Sequence, residues 1–290
     1  MTMKRFYFLL LVFLTPLFAT AQTSKVFDNL SLPSAILKME RKYAVYLPPD
    51  YETSQRSYPV LYLFHGGGDD QTGWVQFGEV RRIADAAIAR GEATPMVIIM
   101  PDDSAGRRGS FNDANGQFRY EDFFFQELMP TVEKLYRIKS EKRYRAVAGI
   151  STGGEAAFLY ALHHPELFGS SCPLSPKIGP STLAETRDFL AYLHQLDGLS
   201  DDAIEAFFKR QSVLELINGL PETQKKEVRW SIDCGDNDDL SEGTALAHIA
   251  MRKKGIPHKF QIHDGGHNWT FWRGALPEIL SFVSDGFHQF

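Results

Sequence analysis

The chain has 290 residues, 43% of them apolar, enough for one large α/β domain with a sizeable core. Lys and Arg number 31 against 36 Asp and Glu, a formal charge of −5. That mild acidity argues against nucleic acid or an anionic membrane surface as a partner.

At the N-terminus, Lys4 and Arg5 precede an apolar run from Phe6 to Phe18, and Ala19-Thr20-Ala21 offers a small-x-small cleavage pattern. The run falls short of the roughly 20 residues that span a bilayer. Residues 1–21 are therefore expected to be a signal peptide, with the mature chain starting at Gln22. No cysteine follows the run, so no lipid anchor is expected. Cleavage leaves 269 residues and, with Lys4 and Arg5 gone, a formal charge of −7, a protein destined for the periplasm or the medium. The mature part, 22–290, reads as one catalytic domain. Export permits a bridge between Cys172 and Cys234. Both lie near the C-terminal ends of core strands, and two buried free thiols are expected there instead.

The elements follow in order. Lys42–Leu47 alternates as a strand, and Tyr58–Phe64 is a nearly continuous apolar strand. Val80–Arg90 is a helix with apolar positions at Val80, Ile83, Ala84, Ala87 and Ile88. Met96–Pro101 is another buried strand. Tyr120–Tyr136 is helical, with Pro130 kinking or splitting it. Tyr144–Ala148 is a short buried strand, and Glu155–Leu162 a helix that stops near His164-Pro165. Phe168–Leu174 and Glu227–Cys234 are strands. Thr244–Lys254 is a helix stopped by Gly255 with Pro257 beyond. Lys259–His263 is the last strand and Pro277–Gly286 the last helix. Strands alternating with helices predict a mainly parallel sheet covered on both faces, with the opening strands antiparallel. Residues 176–227 break the rhythm. They carry only helical patterns, with apolar faces at Leu183, Phe189, Leu190, Leu193, Leu196 and at Ile204, Phe207, Phe208, Leu214, Ile217. Ser200 is the expected N-cap of the second face. This helical insertion after the sixth strand of the fold is either flank packing or a lid over the C-terminal edge of the sheet.

The most telling stretch is Gly149-Ile150-Ser151-Thr152-Gly153, set between a strand and a helix pattern. A serine at so sharp a turn needs small neighbours, and the two glycines supply them. The string and its context match a nucleophile elbow. A serine hydroxyl needs a base, and the base an orienting carboxylate, expected in the order Ser, acid, His. His267 is the best base, reached from the last strand through Asp264-Gly265-Gly266. His263 reads as packed, and His163, His164, His248 and His258 as surface or satisfied residues. Gly265-Gly266 rules out the helix that a His263/His267 metal pair would need. After the strand ending at Cys234, Asp236, Asp238 and Asp239 all remain open as the acid. The oxyanion hole needs two backbone N–H groups, one from Thr152 and one from the turn His65-Gly66-Gly67-Gly68.

Taken together, Tyr46-Leu47-Pro48-Pro49-Asp50-Tyr51, the strand Tyr58–Phe64 running into His65-Gly66-Gly67-Gly68 with Trp74, and Met100-Pro101-Asp102 resemble the esterase D-like family of α/β-hydrolases. So do Arg145–Ser151, Cys234-Gly235 with Asp238, and Gly265-Gly266-His267-Asn268-Trp269. That family includes feruloyl and acetylxylan esterases of carbohydrate esterase family 1, S-formylglutathione hydrolases and mycolyltransferases. The resemblance runs from about Arg41 to the C-terminus. It implies an α/β-hydrolase fold, the acid at Asp238 and the second oxyanion donor at Gly67. Thr152 departs from the methionine common there, with little consequence since its N–H is what acts. The resemblance implies a serine carboxylesterase working through an acyl-enzyme, with no metal or cofactor. Its expected substrate is a small-molecule or polysaccharide-linked acyl ester, feruloyl or acetyl, with Trp74 and Trp269 available to stack on it. Two alternatives are an acyltransferase using an alcohol acceptor and a non-catalytic carbohydrate-binding relative.

Overall fold

The computed structural model describes residues 23–103 and 109–288; the expected signal peptide and the cleavage point at Gln22 lie outside them. Eight strands form one sheet: β1 Lys25–Ser34, β2 Met39–Leu47, β3 Val60–Phe64, β4 Val97–Pro101, β5 Arg145–Ile150, β6 Ser170–Leu174, β7 Arg229–Asn237 and β8 His258–Gly266. Their spatial order is β1-β2-β4-β3-β5-β6-β7-β8, with β2 antiparallel to both neighbours and every other pair parallel. This is the α/β-hydrolase sheet. The helices are α1 Gly73–Gln76, α2 Val80–Ala89, α3 Tyr120–Phe123, α4 Met129–Leu135, α5 Thr152–His163, α6 Leu183–Tyr192, α7 Asp201–Gln211, α8 Val213–Gly219, α9 Ser241–Lys254 and α10 Trp269–His288. None among the described residues is long and apolar enough to cross a membrane.

Alternation along each strand divides the core. In β3, Val60, Tyr62 and Phe64 pack on the face covered by α5, α8 and α9. Leu61 and Leu63 pack on the face covered by α2 and α10. Small residues at Ala146 and Ala148 of β5 make room on that second face for Leu276, Leu280 and Val283 of α10. Cys172 and Cys234 are buried free thiols on neighbouring strands.

Several elements differ from expectation. β1 is absent from the predicted set because a bulge between Phe27 and Leu30 breaks its alternation and most of its residues are exposed, as an edge strand allows. Around Pro130 the backbone widens into a π-helical turn over Phe124–Leu128 between α3 and α4. Pro130 brings no N–H and its ring would meet the carbonyl one turn back, so the wider turn absorbs it without ending the helical run. α10 begins at Trp269, well before Pro277, because Asn268 caps it: the Asn268 carboxamide oxygen accepts from the N–H groups of Thr270 and Phe271 at 3.0 and 3.2 Å. β7 and β8 both run past their predicted ends, so Asp264-Gly265-Gly266 is strand, not turn.

The segment after β6 is helical as expected, and Ser200 does cap α7, accepting from Ala203 N at 3.2 Å. Its helices have different neighbours. Val213 and Ile217 of α8 belong to the main core. α6 and α7 form a separate small cluster in which Leu190, Ile204 and Phe207 close around Phe111.

Candidate active site

Ser151 sits between β5 and α5 with φ 57° and ψ −116°, a conformation that costs a non-glycine residue on the order of 1–3 kcal/mol. The neighbours hold it there. Ser151 N–H donates to Leu174 O at 3.1 Å, and its carbonyl accepts from Glu155 N at 3.0 Å and Lys177 N at 3.1 Å. A β-carbon on Gly149 would collide with the Gly153 carbonyl and sit 2.9 Å from Phe64 Cβ. One on Gly153 would collide with the His65 carbonyl and sit 2.7 Å from Phe64 Cβ. Both glycines are fixed by the close approach of α5 to β3.

The register of β7 and β8 brings the other two side chains together. Asn237 pairs with Gly266, so the next residue on each strand, Asp238 and His267, leaves the sheet at the same level. Gly235 permits this, because a β-carbon there would strike the Gly265 carbonyl. The three predicted residues meet. His267 Nδ1 lies 3.0 and 2.9 Å from the two Asp238 carboxylate oxygens, and its Nε2 lies 3.0 Å from Ser151 Oγ. The Asp238 side chain is fully buried and accepts from Leu240 N at 2.8 Å. The imidazole edge rests on Trp272, ring centroids 4.9 Å apart. Asp238 fixes the tautomer with the proton on Nδ1, leaving Nε2 free to take one from the hydroxyl. The other two aspartates do different things. Asp236 accepts from Gly265 N at 3.0 Å, pinning the end of β8, and Asp239 is exposed.

Thr152 is the first residue of α5, so its N–H points out of a helix N-terminus. Gly67 lies against it: a β-carbon on Gly67 would be 3.6 Å from Thr152 Cγ2. The Thr152 N–H, at a helix N-terminus next to Ser151, suits an anionic oxygen, and the Gly67 turn lies alongside it.

Beneath the Gly67 turn lies a pair the sequence reading missed. His65 is 1% exposed, with Nε2 2.9 Å from Asp103 Oδ1 and Nδ1 2.8 Å from Gly66 O. Burial pulls its pKa down, but the Asp103 charge and the hydrogen bonds outweigh burial and hold it well above the ordinary histidine value. Asp103 also accepts from Ser110 Oγ, and the Ser110 carbonyl accepts from Tyr160 OH at 2.5 Å. One buried network thus fixes both the glycine turn and the loop carrying Phe111.

Trp74 requires a correction. It is 1% exposed and its indole N–H donates to Phe64 O at 2.9 Å, so it anchors the end of β3 and offers no face to a ligand. Trp269 is half-buried, edge-on to Trp74 at 5.1 Å and tilted against the exposed Phe77 at 6.0 Å. Other histidines are engaged elsewhere, but His263, expected to be packed, is exposed on the edge strand β8. His163 bonds Glu121 at 2.7 Å, His248 bonds His258 at 2.8 Å, and His263 bonds Asp233 at 3.1 Å. No group of three or more ligating side chains among the described residues is placed to hold a metal.

A cavity of about 210 Å³ opens beside Gly67 and Thr152. It follows the α5 face through Thr152, Glu155, Ala156 and Leu159 and is bounded by Phe189 and Tyr192 of α6 and by Leu193 just after it. Glu155 lines this mainly apolar slot together with Lys177. Burial, opposed by the Lys177 charge and assisted by that of Asp103, pushes its pKa up to about 7. Its proton is therefore held more tightly in the folded chain than in the unfolded one. The stability it contributes is complete below the ordinary glutamate pKa and is lost as pH rises through about 7. Glu155→Gln should match the parent near pH 4 and be more stable by about 3 kcal/mol at pH 8, measured by urea denaturation across that range.

The sheet order, the elbow and the histidine–carboxylate pair at the ends of β8 and β7 define an α/β-hydrolase. The esterase family model, described as "Putative esterase", matches residues 34–283, and the chain belongs to that family. An endo-1,4-beta-xylanase/feruloyl esterase of Xylanibacter ruminicola is 38% identical over 133 residues, which cover 43% of this chain and 18% of that protein. Esterase Rv1288 of Mycobacterium tuberculosis is 38% identical over 154 residues, covering 52% of this chain and 31% of that one. The match thus spans less than a third of either relative's length. A solved ferulic acid esterase is 32% identical, with a TM-score of 0.80 over 91% of this chain and 99% of that one.

Proposed function

We propose that the protein is an exported serine carboxylesterase that removes hydroxycinnamoyl groups, of the feruloyl type, from carbohydrate. The observation that carries this reading is the continuous hydrogen-bonded line from Asp238 through His267 to Ser151 Oγ, ending at 3.0 Å. His267 takes the hydroxyl proton as Ser151 attacks the ester carbonyl, and Gly67 and Thr152 N–H groups hold the oxyanion. The imidazolium of His267 then protonates the departing sugar oxygen, which leaves as a free hydroxyl, and water repeats the sequence on the acyl-enzyme. A slot of about 210 Å³ with aromatic walls favours a bulky acyl group over acetyl. The likeness to a ferulic acid esterase over nearly its whole length supports the same choice. Helix α6 roofs this slot, which supports a lid role for the 176–227 insertion. Trp269 is the candidate to stack on the sugar. Export rests on the N-terminal sequence pattern.

The test is incubation with feruloylated and with acetylated xylo-oligosaccharides. Ferulate release at least tenfold faster than acetate release is expected. Faster acetate release would replace the feruloyl reading, and an acylated alcohol formed in place of free acid when a sugar acceptor is added would make the enzyme an acyltransferase.

A further inference from the structure

The α5 wall of the slot carries a group that the esterase chemistry leaves unused. Glu155 is 8% exposed, lines the cavity, and its carboxylate finds no hydrogen-bond partner among the described residues. Among the described residues no cation lies within 4 Å of it: Lys177, which lines the same slot, makes no ion pair with it and instead holds its Nζ 5.9 Å above the Phe189 ring. Apolar walls come from Phe111, Ala156, Leu159, Phe189 and Leu193, and the hydroxyls that also line the slot, on Ser110, Thr152 and Tyr192, make no hydrogen bond to it, that of Ser110 being given to Asp103. The chain passes close by at Gly179, where a β-carbon would come within 3.2 Å of Glu155 Oε1. A buried acid left without a donor costs stability, so the folded protein retains it against its own interest.

We infer that Glu155 is a specificity-determining residue that accepts a hydrogen bond from a hydroxyl on the ring of the acyl group. The inference rests on the hydroxycinnamoyl reading above and deepens it. A neutral hydroxyl suits the surroundings better than a charge. Lys177 opposes an acyl ammonium, and the Glu155 carboxylate opposes an acyl carboxylate. The position suits a ring substituent. Thr152 and Leu159 are seven residues apart on α5, so the slot runs about 10 Å at ~1.5 Å per residue, and Glu155 stands partway down it. A site that binds a substrate hydroxyl also rejects the analogue lacking one, since the site's own polar group is then buried unmatched.

The experiment compares methyl cinnamate with methyl 3-hydroxy- and 4-hydroxycinnamate on the parent enzyme, Glu155→Leu and Glu155→Gln, reading kcat/KM. Circular dichroism verifies that each variant is folded; should the leucine variant fail to fold, the near-isosteric glutamine variant carries the comparison. The parent should prefer the better hydroxylated ester over methyl cinnamate by about 100-fold. Glu155→Leu should bring that ratio close to one, and Glu155→Gln should lower it about tenfold. A ratio near one in the parent, or an unchanged ratio in both variants, overturns the role of Glu155 while leaving the hydroxycinnamoyl reading in place. Cleavage of p-nitrophenyl acetate with none of the three cinnamate esters touched would instead remove the hydroxycinnamoyl reading, and the Glu155 role with it.

Discussion

Changing Ser151 to alanine should lower kcat for p-nitrophenyl acetate by about 10⁶-fold, and changing Asp238 to asparagine by about 10⁴-fold, with KM little altered in either case. The two losses differ because the groups act differently. Without the Ser151 hydroxyl there is no acyl-enzyme, and the remaining N–H donors can only assist water. An asparagine in place of Asp238 would keep the space but could present its amide N–H to His267 Nδ1. That favours the tautomer with a proton on Nε2, the atom that now lies 3.0 Å from Ser151 Oγ. A proton there blocks the base. Asp236→Asn is the control. Its side-chain oxygen still accepts from Gly265 N, now at 3.0 Å, so kcat should fall less than tenfold. Stopped assays on the three variants check all of this, and an Asp236 effect as large as that of Asp238 would overturn the choice of Asp238 as the acid.

Gly153→Ala should cost about 3 kcal/mol of stability or more. A methyl group there has nowhere to go: the His65 carbonyl and Phe64 Cβ, the latter at 2.7 Å, are backbone or backbone-adjacent atoms of the central strand. To make room, α5 would have to lift from β3, which would carry Thr152 N–H and Ser151 with it. Residual folded protein should therefore also be slow. Gly274→Ala sets the scale, since nothing lies within 4 Å of its missing β-carbon in the middle of α10. That change should raise stability by about 0.5–1 kcal/mol through helix propensity alone. Urea midpoints for the two variants measured side by side would show opposite signs.

The parts of this molecule that could be read from the sequence are those set by local pattern. The apolar runs at Leu61, Ile98 and Val147 are buried on both faces, and such runs announce parallel strands however the rest of the chain folds. Ser151 and His267 were legible for the same reason, as each closely follows a strand whose end is marked by glycine, whereas Asp238 was singled out from three neighbouring aspartates only by the family resemblance. Through-space partnerships were not. His65 and Asp103 are 38 residues apart and meet only because β3 and β4 are parallel neighbours. Glu155 looks like one polar position in an apolar helix; its meaning depends on α6, some thirty residues later, closing over it. Trp74 misleads because nearness to Gly67 in the chain does not reveal that its indole turns inward to Phe64.

The sheet order has a further consequence. The serine stands on β5, hydrogen-bonded to strands on both sides, whereas the imidazole and its carboxylate stand on β8 and β7, and β8 has only one neighbour. Marginal strands fray at far lower cost than the centre of a sheet. Gentle heating would thus detach the base while the nucleophile stays seated, leaving an idle enzyme with its architecture nearly whole, ready to resume work on cooling.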